Sequence, residues 1–383
     1  MLIAAAAVVL LIWIYLLAGH GQFWRISRFP EPALSELGQN TVAVVIPARN
    51  EAEVIGRAVA SLLRSQGLRG LQIFLVDDGS SDGTAEAARQ AAQSQGKPEM
   101  LTVIAGKPLA SSWSGKLWAV HQGIQRASEI NPEFLLLTDA DIEHGPFSIA
   151  TSVAISENGQ YDLVSFMAKL YCRSFAERAL IPAFVYFFFQ LYPPAWISSP
   201  CRSTAGAAGG SILIRPGSLE RAGGVSAIRG EIIDDCALAR LIKRHGGRVW
   251  LGMSEEIKSI RPYGSFAEIG KMISRSAFNQ LRHSTLLLLI ALAGMALTYI
   301  LPPLLAVFSH QLLPSFMGAA AWLLMGVSFL PVLRFYRLVP LWSLLLPAIA
   351  LFYMGATFHS AFKFWTGLGG EWKGRVQDPA DKP

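Results

Sequence analysis

The chain has 383 residues, 52% of them hydrophobic and 16% charged, with 33 Lys and Arg against 27 Asp and Glu for a formal charge of +6. That balance fits one soluble domain joined to membrane segments better than two soluble domains. Basic residues scattered through loops, with no stripe, argue for anionic lipid and phosphate contacts and against nucleic acid. The three cysteines, Cys172, Cys201 and Cys236, form no metal-spaced pair and no even disulfide framework, which suits a reducing compartment.

Leu2 to Ala18 is an uninterrupted apolar run with no charge before it, followed by Arg25 and Arg28. This pattern predicts a membrane anchor over residues 1–20, with the following domain on the cytoplasmic side; a signal peptide would carry a positive n-region. From Thr41 the texture changes. Val42 to Ile46 reads as a strand, Pro47-Ala-Arg-Asn-Glu51 as a loop, and Val54, Ile55, Ala58, Val59, Leu62 and Leu63 as one face of a helix that Gly67 stops. A second strand, Leu71 to Val76, runs into Asp77-Asp-Gly-Ser-Ser-Asp-Gly-Thr84. Carboxylates at a strand end suit ribose or base hydroxyls, whereas Ser81 and Asp82 are equally explained as caps of the next helix.

A short strand at Leu101 to Ile104 precedes a loop and helix from Ser111 to Glu129 that carry Gly115, Lys116 and Trp118; a lysine at a helix N-terminus suits a phosphate. Next comes Phe134-Leu-Leu-Leu-Thr-Asp-Ala-Asp-Ile142, a buried strand that ends in Asp139 and Asp141. In open α/β sheets ligands collect beyond such ends, and an Asp-x-Asp offers hard oxygens to Mg²⁺ or Mn²⁺, whose remaining waters a diphosphate replaces. A solvated turn is the plainer explanation of three residues taken alone. Four strand-and-helix units in series predict a predominantly parallel sheet.

Tyr161 to Met167 reads as a further strand. Residues 179–200 are dense in aromatics and broken by Pro182, Pro193 and Pro194, which disfavours a straight span and leaves open a membrane-interface segment or a core helix. Small residues from Thr204 to Gly210 let a ligand approach the main chain ahead of a strand at Ser211 to Arg215. Asp234 and Asp235 open a helix, where acids complement the dipole and where a carboxylate at a cleft rim would also serve as a base. Phe266 to Leu281 reads as one interface helix. Beyond it Leu286 to Phe308 is long enough to span a membrane, Met317 to Leu333 is marginal, and Leu338 to Tyr353 spans with help from its flanks, giving two to three spans over 285–361. Arg334 and Arg337 place one loop inside; Lys363, Lys373 and Arg375 of the 362–383 tail also prefer the inside, which conflicts with three spans.

Pro47-Ala-Arg-Asn-Glu51, Val76 to Thr84, Gly115-Lys116, Asp139-Ala-Asp141, Gly206-Ala-Ala-Gly-Gly210 and Ile233-Asp-Asp235, in this order, resemble family-2 glycosyltransferases across 41–283. The resemblance implies an α/β, GT-A (Rossmann-like), predominantly parallel sheet with flanking helices, plus N-terminal and C-terminal transmembrane helices. It implies inverting transfer from a nucleotide-diphospho-sugar, with uridine diphosphate expected, at the cytoplasmic face of a bacterial inner membrane. By position Pro47, Glu51, Asp77, Asp78, Lys116, Asp139 and Arg282 would bind the donor, Asp139 and Asp141 would hold Mg²⁺ or Mn²⁺, and Asp235 would be the base. Within the family, the anchor leading into Gly21-Gln-Phe-Trp-Arg25, the stretch Asn279-Gln-Leu-Arg-His283 and the tail Glu371-Trp-Lys-Gly-Arg375 resemble the hopene-associated enzymes of hopanoid gene clusters, which implies a hopanoid acceptor. Where membrane-bound relatives carry Gln/Arg-x-x-Arg-Trp, this chain has Asn279 and His283 around Arg282, which argues against a processive polymer synthase. Alternatives within the chemistry are polyprenyl phosphate, carotenoid or glycerolipid acceptors. An inactive nucleotide-sugar binder is disfavoured by the full set of acids, and a transporter by the near absence of charge inside the spans.

Overall fold

The computed structural model describes residues 1–26, 40–367, 371–372 and 375–376. Arg28 and Lys373 lie outside the described residues. The chain divides into two compact units, one built from 40–171 and 196–261 and the other from 1–26, 172–195 and 262–367.

The first unit is organised on an eight-stranded sheet. Its strands are β1 (Thr41–Ala48), β2 (Gly70–Asp77), β3 (Leu101–Ala105), β4 (Phe134–Leu137), β5 (Ile142–His144), β6 (Leu163–Lys169), β7 (Ile212–Ile214) and β8 (Val249–Ser259), in the order β3-β2-β1-β4-β7-β6-β8-β5. The pairs β1/β2, β2/β3, β1/β4 and β6/β8 are parallel, while β4/β7, β6/β7 and β5/β8 are antiparallel. The sheet is mostly parallel, as the strand-and-helix series predicts, and its antiparallel pairs all lie beyond β4. Strand order reverses about β1, whose neighbours are β2 and β4, so the crevice beyond β1 and β4 is a topological switch point, where open α/β sheets bind ligands.

Val42, Val44 and Ile46 of β1, Ile73 and Leu75 of β2 and Phe134 and Leu136 of β4 are buried against Ile55, Val59 and Leu62 of the helix Ala52–Leu63. On the other side the helix Gly115–Ser128 lies close to the sheet: a Cβ on Gly123 would meet Val45 Cγ1 at 2.4 Å and Val76 Cγ2 at 3.1 Å. Glycine at 123 thus sets the height of this helix, and Lys116 sits at its N-terminal end. The strand expected to end in the two carboxylates stops at Leu137, just ahead of them; Asp139-Ala-Asp141 forms the link to β5, which crosses to the far edge and pairs with β8. The strand expected at 161–167 forms at Leu163–Lys169.

The second unit is helical. Phe175–Ile197, Thr285–Phe308, Leu312–Phe335 and Pro340–Trp365 are long and apolar enough to cross a membrane, and Leu2–Ala18 is a shorter apolar helix. Pro182 does not break the first of these: the helix Phe175–Leu191 runs through it and stops at Tyr192, ahead of Pro193 and Pro194, helped at its start by a Ser174–Glu177 capping box. The third and fourth are longer than the hydropathy of 317–333 and 338–353 suggests, because polar and proline residues at their ends also adopt helical or 3₁₀ conformation.

The single helix expected over 266–281 is two, Phe266–Ser274 and Ala277–Gln280. In an unbroken helix Phe278 N–H would bond to Ser274 C=O. Here Ser360 Oγ stands between them, accepting from Phe278 N–H at 3.0 Å and donating to Ser274 O at 2.5 Å.

Candidate active site

Two loops meet beyond β1 and β2 and are stitched by side chains. Asn50, held at φ +52°, donates from its backbone N–H to Ser80 Oγ and accepts at Oδ1 from Ser81 N–H, both at 3.0 Å. Glu51 N–H donates to Thr84 Oγ1 at 2.8 Å and Ala52 N–H to Asp82 Oδ2 at 3.0 Å, while Asp82 Oδ1 accepts from Thr84 N–H at 3.1 Å. Asp82 is therefore a tie between helix starts, which satisfies N–H groups that a first helical turn leaves open. Asp77 Oδ1 accepts from Ser80 N–H at 2.9 Å. Asp78 is buried, its carbonyl accepts from Arg49 Nη1 at 2.5 Å, and its Oδ2 lies 3.7 Å from the same nitrogen.

Lys116, Asp139, Asp234 and Asp235 come together at the crevice beyond β4. Lys116 Nζ is 2.9 Å from Asp139 Oδ1 and 3.1 Å from Asp234 Oδ2. Burial alone would push this lysine down, but Asp139 and Asp234 outweigh it and hold the ammonium well above its usual range. Asp235 Oδ2 accepts from Gly209 N–H at 2.9 Å and its Oδ1 from Cys236 N–H at 2.7 Å. A Cβ on Gly209 would lie 3.5 Å from Asp139 Oδ2, Asp235 Oδ2 and Lys116 Nζ alike, so the small residue brings main chain to the point where the charges converge. Pro47, Lys116, Asp139, Gly209, Asp234 and Asp235 line one pocket, whose apolar wall includes Val225, Ile228 and Leu238.

Burial, followed by repulsion from Asp234, raises the Asp235 carboxyl to about 6, against the opposing pull of Lys116 and the Cys236 N–H. A carboxylate tuned toward neutral pH is suited to taking a proton. Burial also raises Asp139, offset by Lys116 and reinforced by Asp141. Because 35% of the Asp139 side-chain surface stays open, that rise is partial.

Asp141 is held from the β8 side. Its Oδ2 accepts from Ser259 Oγ at 2.9 Å and its backbone oxygen from Ile260 N–H at 2.9 Å. Arg261 Nε lies 3.4 Å from Asp141 Oδ2, and its Nη2 donates to Glu51 Oε2. Arg261 was not legible in advance. It follows a strand whose register places it beside a carboxylate 120 positions earlier, and a lone arginine after a strand carries no motif.

Among the described residues no group of three or more acidic, His or Cys side chains is arranged to hold a metal ion. The donor set nevertheless fits a divalent ion that takes most of its ligands from elsewhere. Asp139 and Asp234 share Lys116, while Asp141 and Glu51 share Arg261. With Asp235 set apart as the acid whose carboxyl is raised, each side holds two acids against one cation and keeps one net negative charge, and the two together match the charge of Mg²⁺ or Mn²⁺. Asp139 and Asp141 supply hard oxygens from one three-residue link.

Of the predicted residues, Pro47, Lys116, Asp139 and Asp235 share the pocket, Glu51 and Asp141 are joined through Arg261, and Asp77 and Asp78 sit at the end of β2. Arg282 belongs to the helical unit, exposed in a left-handed turn at φ +52°. The neighbouring His283 stacks on Phe364 with ring centroids 4.1 Å apart.

Residues 43–215 match the family model described as Glycosyl transferase family 2. Among curated proteins, the undecaprenyl-phosphate 4-deoxy-4-formamido-L-arabinose transferase of Edwardsiella ictaluri (strain 93-146) is 30% identical over 126 residues, which is 32% of this chain and 35% of that protein. The transferase of the same name from Proteus mirabilis (strain HI4320) is 31% identical over 127 residues, 33% of this chain and 36% of that protein. The match thus spans about a third of the length of these relatives. Among solved structures, a mannosyltransferase from Pyrobaculum calidifontis in complex with GDP-Man and Mn²⁺ aligns with a TM-score of 0.58 at 18% identity, covering 95% of this chain and 99% of that one. The fold is GT-A with apolar helices that could span a membrane, and residues 43–215 carry a glycosyl transferase family 2 domain.

Proposed function

We propose that this chain is a membrane-bound inverting glycosyltransferase that moves a sugar from a nucleotide-diphospho-sugar to a hydroxyl of a membrane lipid. The observation that carries the reading is the pocket in which Asp235, tuned upward to about 6, stands beside Lys116 and Asp139. In this reading the acceptor oxygen bonds to the anomeric carbon, the bond to the diphosphate oxygen breaks with its electron pair leaving on the nucleoside diphosphate, and the acceptor proton passes to Asp235. Lys116 offers a fixed positive charge to the diphosphate from a helix N-terminus. Asp139 and Asp141 would hold Mg²⁺ or Mn²⁺, which supplies charge neutralisation for the leaving group. Pro47, Glu51, Asp77 and Asp78 complete the proposed donor-side set of the sheet unit. The sheet unit is taken to face the cytoplasm of a bacterial inner membrane, in keeping with Arg25, Arg334 and Arg337 beside the apolar helices.

The acceptor divides into two chemistries. A hopanoid hydroxyl, supported by the sequence resemblance, needs a base. A polyprenyl phosphate, supported by the similarity to undecaprenyl-phosphate sugar transferases, has a second pKa of about 6 like other phosphate monoesters and is a nucleophile without one. Purified parent and Asp235→Asn protein, incubated with bacterial lipid extract, Mg²⁺ or Mn²⁺ and a panel of UDP- and GDP-sugars, would be read by lipid mass spectrometry. Transfer to a neutral lipid by the parent alone supports the hydroxyl reading. Transfer to a lipid phosphate by both proteins moves the assignment to polyprenyl phosphate, and donor binding with no lipid product from either protein sinks the enzyme reading.

A further inference from the structure

Glu51 is placed oddly for an acid in a binding loop. Only 12% of its side-chain surface is open, its backbone is tied to Thr84, and its Oε2 is taken by Arg261. Arg261 in turn leans on Asp141. A guanidinium keeps its charge at any working pH, so its hold on Asp141 weakens only when another acid competes for it. Glu51 is that acid. With Glu51 present, the trio Glu51, Arg261 and Asp141 retains one net negative charge; without it, Arg261 and Asp141 form a neutral pair and one of the two charges facing a divalent ion is gone.

We propose that Glu51 and Arg261 set the divalent-metal affinity of the site: Glu51 draws the guanidinium off Asp141 and so keeps that carboxylate available to the ion. This rests on the reading that Asp139 and Asp141 hold the metal. The effect is a positioning one, passed from Glu51 to Asp141 through Arg261, and Ser259, which also donates to Asp141 Oδ2, keeps the carboxylate oriented whichever way the arginine leans.

The test is a Mn²⁺ titration of the full-length protein in detergent, without nucleotide, followed by electron paramagnetic resonance of the free ion. Glu51→Gln is expected to weaken Mn²⁺ binding by about tenfold, the low end of what loss of a supporting partner costs a metal site. Arg261→Gln is expected to tighten it. In the Arg261→Gln background the added Glu51→Gln change is expected to have less than about a twofold effect, because the residue through which Glu51 acts is absent. Equal losses from Glu51→Gln in both backgrounds would mean that Glu51 acts by its own charge and would overturn the proposal, as would no loss in either. If Glu51→Gln protein does not fold, Glu51→Asp, which keeps the charge but shortens the reach to Arg261, replaces it, with weaker binding expected and unchanged binding counting against the proposal. Asp141→Asn separates the two levels: Mn²⁺ binding equal to the parent would place the ion elsewhere and overturn the metal reading beneath the proposal.

Discussion

The two units bury polar groups in opposite ways. At the end of the sheet, Lys116 and Arg261 each face two carboxylates, and the result is a set of charges that stay incompletely neutralised. In the helical unit the buried polar contacts are mostly between neutral groups: Tyr186 OH with Ser328 Oγ at 2.7 Å, Tyr299 OH donating to Gln190 Oε1 at 2.6 Å, Trp13 Nε1 donating to Thr298 O at 2.8 Å and Tyr353 OH donating to Leu180 O at 2.8 Å. The buried acid Glu177 sits in the first turn of its helix, where the N–H groups of Arg173, Ser174 and Tyr263 all donate to it. Charge is retained where an ion or substrate can offset it. Among the apolar helices, where an unpaired polar group is expensive, these buried neutral donors find acceptors, although Trp322 Nε1 is buried without one.

The contrast is sharpened by removing one group at a time. The largest effect is expected from Asp235→Asn: transfer to a lipid hydroxyl should fall by at least about 100-fold while donor binding, followed by nucleotide titration, stays near the parent value. Retained turnover would remove Asp235 from the role of base.

A second test uses pH. His144 is buried between Thr138 Oγ, 3.0 Å from Nε2, and Ser148 Oγ, and burial lowers it from 6.5 to about 4. Its neutral form is the one the fold prefers, so stability is full above pH 6.5 and is lost as pH falls from 6.5 toward 4. The total loss is about 3 kcal/mol, at roughly 1.4 kcal/mol per pH unit. Denaturant unfolding followed by tryptophan fluorescence across that window should show the decline, and His144→Gln should flatten it.

In the helical unit, Ser360→Ala leaves Ser274 C=O and Phe278 N–H without the hydroxyl that separates them, at an expected cost of about 2 kcal/mol for two hydrogen bonds, read as a lower unfolding temperature in detergent. The smallest change is expected from Tyr186→Phe, about 1 kcal/mol, because Ser328 Oγ still bonds to Met325 O. A loss of activity from Tyr186→Phe comparable to that from Asp235→Asn would dissolve the distinction between a charged chemical region and a neutral structural one.

Most of the parallel half of the sheet was legible, because β1, β2 and β4 are continuous apolar runs punctuated by loops rich in Gly, Asp and Ser, and that pattern reflects local physics. Lys116, Asp139, Asp141 and Asp235 could be named as a set for the same reason, each standing where a strand ends or a helix begins, whereas Asp234 was legible only as an acid of a first helical turn and its contact with Lys116 was not. The sequence by itself therefore determined most of the acids at the sheet's end and the C-terminal segments apolar enough for a membrane, but neither Arg261 nor the full apolar helix Phe175–Ile197. Only the tertiary structure decided which acid meets which cation. That Lys116 bridges Asp139 to Asp234, that Arg261 joins Glu51 to Asp141 and that Ser360 interrupts the 266–280 helix all depend on contacts between positions 23 to 210 residues apart. Short strands such as β5 and β7, three residues each, are likewise set by their partners, because a segment that short has too few alternating positions to carry a period of its own.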